Sequence, residues 1–165
     1  MKRSAYLFAL TLVIFAGCRP TSAATNLDAL RKIRIEQQTI LTLGGKMPQP
    51  SDFCIWSGTT CALKPGTFWG AKAMLLTKTE SGMISQLQLD YGVLSDDAVN
   101  AQIDDYIRQF GKPSKDSTVK NGEFNVRELE WSDSSTTFDL SYKTDQNQTK
   151  ASATLLDKAL SRPTR

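Results

Sequence analysis

Histidine is absent from the 165-residue chain. Without an imidazole, no Ser-His-Asp triad or Cys-His pair can be built, and the usual zinc sites lose one of their main donors. Cysteine is scarce. Cys18, Cys54 and Cys61 are the only three, and none of their spacings is the C-x-x-C of a redox pair. No phosphate-cradling glycine loop and no G-x-S-x-G elbow occurs. Two adjacent acidic pairs, Asp96/Asp97 and Asp104/Asp105, fall where a helix is expected, and neighbouring helical side chains point apart. Asp145-Gln146-Asn147 lacks the downstream glutamate that completes a calcium loop. These absences lead to an expectation of no catalytic residues, no metal, no cofactor and no enzymatic activity.

Net charge is also small. The chain has 20 Lys+Arg against 17 Asp+Glu. Setting aside Lys2 and Arg3, which precede an apolar run, leaves 18 against 17, and so near-neutral a balance gives no footing for nucleic-acid binding. Long apolar runs are missing too. The longest, Ala5 to Ala16 (AYLFALTLVIFA), falls short of the roughly 20 residues a bilayer span needs.

A basic start, an apolar run of that length and a small-residue exit make up an export signal. Within the exit, Phe15-Ala16-Gly17-Cys18 resembles the lipobox of bacterial lipoproteins, with Phe15 where the family usually has Leu. The resemblance implies cleavage before Cys18 and acylation of that cysteine with three chains, palmitate among them. Each buried methylene contributes about 0.8 kcal/mol to such a tether. Arg19 stands where many inner-membrane lipoproteins carry Asp, so by analogy the destination is the periplasmic face of the outer membrane. A rival cut after Thr21-Ser22-Ala23 or Ser22-Ala23-Ala24 would discard Cys18 and leave a soluble periplasmic or secreted protein. The apolar run ends directly at Ala16-Gly17, which favours the lipobox cut. The expected organisation is a signal peptide (1–17), an anchor and spacer (18–26), one domain (27–160) and a loose tail (161–165).

Within the domain the expected fold class is α+β: a mostly antiparallel sheet of about five strands with one amphipathic helix packed across it. An N-terminal helix over Leu27–Gln38 and a disulfide-stapled loop complete it. Ser95 to Phe110 carries the clearest helical pattern, with Ser95 as cap, an apolar stripe at Val99, Ile103, Tyr106, Ile107 and Phe110, an Asp104–Arg108 pair and Gly111 as stop. Phe68–Thr79, Ile84–Tyr91, Asn125–Trp131, Thr137–Lys143 and Thr149–Leu156 read as strands, and Thr39–Leu43 as a shorter one. Leu87, Leu89 and Tyr91 alternate with Gln86, Gln88 and Asp90, the pattern of a sheet with one wet face. In an oxidising compartment Cys54 and Cys61 are expected to close a structural ring.

Trp56, inside that ring, and Phe68-Trp69, just beyond it, are the candidate partner-binding residues, because aromatic side chains dominate binding hot spots. Trp131 is expected in the core. The run through Phe110-Gly111-Lys112-Pro113, Trp131 and Phe138-Asp139-Leu140 looks like many small periplasmic lipoprotein domains. That resemblance implies a membrane-tethered, non-enzymatic module that binds a protein partner of the envelope. The alternative is an inhibitor or immunity-type lipoprotein that blocks a wall-degrading or toxic enzyme with the stapled loop.

Overall fold

The computed structural model describes residues 27, 31–35, 39–46, 54–63 and 70–161. Ten strands and one helix are seen among them: β1 Lys32–Ile35, β2 Thr39–Thr42, β3 Cys54–Ser57, β4 Thr60–Leu63, β5 Ala73–Lys78, β6 Ile84–Leu94, α1 Asp96–Phe110, β7 Lys115–Asn121, β8 Phe124–Ser132, β9 Thr136–Thr144 and β10 Thr149–Asp157. Eight of the strands form one antiparallel sheet in the order β3-β4-β5-β6-β10-β9-β8-β7, and β1 and β2 form a separate antiparallel pair. The α+β class is as expected, but the main sheet has three more strands than the sequence pattern suggested.

The three are β3, β4 and β7. Six of the seven residues of β7 (KDSTVKN) are polar, and nearly all of it is exposed. An edge strand wet on both faces carries no alternation to read. β3 and β4 are only four residues each, and turn-forming residues around them hide their pairing. The stapled loop is therefore a tight hairpin: Cys54 and Cys61 are joined by a disulfide across the β3–β4 register.

The N-terminal helix over Leu27–Gln38 is a second correction. Lys32–Ile35 is strand β1, entered directly after Arg31, whose N–H donates to the Leu27 carbonyl at 3.1 Å; residues 28–30 and 36–38 lie outside the described residues. Lys32-Ile33-Arg34-Ile35 alternates with period two as well as fitting a helical stripe, and pairing with β2 decides between them.

Helix α1 behaves as its sequence predicts. The Ser95 hydroxyl accepts from the Ala98 N–H, and Gly111, at φ 78°, donates its N–H to the Ile107 carbonyl. Ile103, Tyr106 and Phe110 are buried, whereas Ile107 lies at the edge of the stripe and is 40% exposed. Arg108 pairs with Asp105 at 2.8 Å rather than with Asp104.

Topology explains where α1 lies. Four antiparallel steps separate β6 from β7, so the two strands run parallel about 19 Å apart. A 15-residue helix is about 22 Å long, enough to carry the chain across β10, β9 and β8 to the far edge. Its aromatic residues meet the strands beneath in a cluster of Tyr106, Phe110, Trp131 and Phe138, with ring centroids 5.1 to 6.5 Å apart. Trp131 is fully buried, as expected, and its indole N–H donates to the Gly111 carbonyl at 2.8 Å. The Tyr91 and Tyr106 hydroxyls meet at 2.6 Å. Burial pushes the Tyr91 phenol up to about 12, against the opposing effect of the Tyr106 hydrogen bond.

Leu27, Leu41 and Leu43 join the same buried cluster as Leu63, Met74, Leu76, Leu87 and Leu89. Among the described residues no helix is long and apolar enough to cross a membrane.

Candidate functional site

One face of the sheet, carrying Leu63, Met74, Leu89, Ala153, Leu140 and Leu129, is buried. The opposite face is open, and strand register arranges it into two rows. The first runs Lys115, Glu130, Asp139, Thr154, Gln88, Leu75 and Ala62, each residue directly opposite the next across β7, β8, β9, β10, β6, β5 and β4. The second runs Ser117, Glu128, Ser141, Ser152, Asp90 and Ala73. Directly opposed side chains lie within interaction distance, so these rows form continuous surfaces although their members are far apart in the chain.

The two ends of the rows differ in chemistry. Toward β4 the side chains are short: Ala62, Ala73 and Ser152 leave a concavity of about 530 Å³ flanked by Leu75, Gln88, Asp90 and Thr154. Asp90 is fixed there, accepting the Gly92 N–H on its carboxylate at 2.7 Å and the Lys72 N–H on its carbonyl at 2.7 Å. Gly92 sits at φ 69° beside a register shift between β6 and β10, a bulge that suits glycine.

Toward β7 the surface is acidic, with Glu128, Glu130 and Asp139 around Lys115. Lys115 reaches Glu128 at 2.9 Å, and this contact raises the lysine's affinity for its proton. Loss of hydration, then the charges of Glu130 and Glu128, hold the Asp139 carboxyl above the usual carboxylate range, with Lys115 opposing. Among the described residues no group of three or more His, Cys, Asp or Glu is placed to hold a metal ion.

A second polar cluster lies at one end of the sheet. Arg31 donates to the Ser135 hydroxyl at 2.5 Å and lies 3.8 Å from the Asp157 carboxylate. Lys158 donates to the Ser132 hydroxyl at 2.6 Å and to the Asp133 carbonyl at 2.5 Å. Burial disfavours ionisation of Asp133, but the Ser135 and Thr136 N–H groups, the Ser135 hydroxyl and Arg31 outweigh it and hold this carboxyl below its usual range. Asp157 in turn accepts the Ala159 and Leu160 N–H groups. These bonds join the chain entering β1, the β8–β9 turn and the turn after β10, so the cluster is a structural latch. The Ser132–Lys158 contact joins residues 26 apart and leaves no sequence signature.

One motif that sequence reasoning missed is Ser117-Thr118-Val119-Lys120, which has the S-x-x-K spacing of lysine-assisted serine chemistry. It lies on strand β7, where residues three apart point to opposite faces, so the hydroxyl and the ammonium do not converge.

Of the residues selected from the sequence, Cys54 and Cys61 are brought together in the disulfide. Trp56 lies on β3 opposite Cys61 in the register, and its side chain falls outside the described residues. Cys18, Phe68 and Trp69 also lie outside them. The open face was legible as the wet sides of β6 and β9; its continuation into β4 and β7 was not. Compared with protein-family models, curated proteins and solved structures, the chain finds no match, so the functional reading rests on its own residues.

Proposed function

We propose that this protein is a lipid-anchored periplasmic module that binds an envelope protein without catalysing a reaction. In this reading Cys18 carries the acyl chains at the periplasmic face of the outer membrane. The observation that carries the binding role is the two-row open face, which grades from three carboxylates around Lys115 to the concavity at Ala62, Ala73 and Ser152. That gradient suits an extended partner segment with an apolar side chain at one end and basic side chains at the other. Short side chains on a rigid sheet present such a surface at little entropic cost. A second reading, an inhibitor of a wall-degrading or toxic enzyme, is favoured by the β3–β4 hairpin, whose tip at Ser57-Gly58-Thr59 is exposed and held by the disulfide.

In the full chain, a photo-crosslinking residue at Gln88 is expected to capture one envelope protein in cells, and Ala73→Arg, which fills the concavity, is expected to abolish capture. A crosslinker at the Gly58 tip capturing a hydrolase or toxin, with none at Gln88, would favour the inhibitor. For the tether, the mass of the mature N-terminus is expected to correspond to acylated Cys18; an unmodified start at Ala24 or Thr25 overturns it.

A further inference from the structure

We propose that two copies of this chain associate through their β7 edges, antiparallel and centred on Thr118, so that the sheet continues across a two-fold axis. This goes beyond the function proposed above and does not depend on it. Among the described residues β7 ends the eight-stranded sheet and pairs with β8 alone. Six of its seven residues are exposed.

The backbone sets which groups face outward. A two-residue turn, Gly122-Glu123, closes on the Asn121–Phe124 pair, and the closing pair of such a hairpin exchanges both of its hydrogen bonds. Alternation then directs the backbone groups of Val119, Ser117 and Lys115 toward β8. Those of Lys120, Thr118 and Asp116 point to the open edge, symmetric about Thr118.

The side chains follow the same symmetry. With a second β7 paired about Thr118, Asp116 of each copy faces Lys120 of the other on the same side of the sheet, and about six backbone hydrogen bonds close. Antiparallel registers centred on Asp116 or Lys120 would oppose like charges, and those centred on Ser117 or Val119 leave the Asp–Lys pairs unmade. Arg127 holds the Asp116 carboxylate with two hydrogen bonds, at 3.0 and 2.9 Å, and still leaves its side chain 43% exposed. On the other side of the sheet Val119, the most exposed large apolar residue among those described at 58%, falls opposite Ser117. Charges on an edge strand ordinarily prevent sheet-to-sheet pairing; here they select one register. So short a ladder gives a reversible dimer rather than an obligate one.

The test uses the full chain with Thr118→Cys. Across a two-fold hydrogen-bonded pair the two Cα atoms stand about 5.5 Å apart, within disulfide reach. Mild oxidation is expected to give a covalent dimer on non-reducing electrophoresis, above the background of the unsubstituted chain, whereas Glu123→Cys at the hairpin tip is expected to give none. Adding Lys120→Asp to Thr118→Cys sets carboxylates against each other and is expected to lower the yield about tenfold; adding Lys120→Arg is expected to preserve it. A folded Thr118→Cys protein that stays monomeric, equal crosslinking at Glu123→Cys, or a yield indifferent to Lys120→Asp overturns the proposal.

Discussion

Trp131 carries two separate jobs at the residue scale. It fills the space between α1 and the sheet, and its indole N–H satisfies the Gly111 carbonyl where the helix ends. Trp131→Phe keeps most of the volume but drops the hydrogen bond, and is expected to cost about 1–2 kcal/mol. Trp131→Ala leaves a cavity as well and is expected to cost about 3–5 kcal/mol. Urea unfolding of the two variants separates packing from hydrogen bonding.

Asp139 poses a different residue-scale question, because its carboxyl is held above the ordinary range. The folded chain therefore keeps this proton where the unfolded chain has lost it. Stability from this group falls as pH rises from the ordinary carboxylate value through the raised folded value, and the penalty remains at neutral pH. Asp139→Asn is expected to raise stability at pH 7 relative to pH 3 and to flatten that part of the profile. Denaturation midpoints across this range check it, and an unchanged profile contradicts it.

Elements differ in how much of their placement their own residues contain. The cap at Ser95, the apolar stripe and the stop at Gly111 all lie within α1, so its bounds were readable before any packing was known. β9 buries one face and wets the other, and the alternation of Phe138, Leu140 and Tyr142 records this directly, whereas β8 and β10 alternate less clearly in sequence. β7 leaves six of its seven residues exposed, and β1 satisfies two periods at once; local pattern cannot resolve either case. The β3–β4 hairpin depends on its covalent link more than on its length. Opening that ring with Cys54→Ser and Cys61→Ser is expected to cost about 2.5 kcal/mol by chain entropy. The loss should appear first as faster amide exchange in β3 and β4, while protection in β9 and β10 persists.

On the scale of the whole molecule, the crossover through α1 divides the labour of the two sheet faces. One is covered and supplies the core; the other stays open with its polar and small residues in register. The open face should therefore tolerate substitutions that the covered face cannot. Ala73→Arg is expected to change stability by less than about 0.5 kcal/mol while abolishing partner capture. Equal losses of stability and binding would mean that the concavity serves folding instead.

The sequence by itself determined the α+β class, the helix with both its ends, the inward residues of the alternating strands and the cysteine pair, because each depends on neighbours a few positions away or on a covalent bond. Only the tertiary structure decided the extra strands, the latch around Arg31 and Lys158, and the rows that run from Lys115 to Ala62. Those features join residues through strand register, and register is set when one buried face is packed, not by the spacing of the residues it brings together.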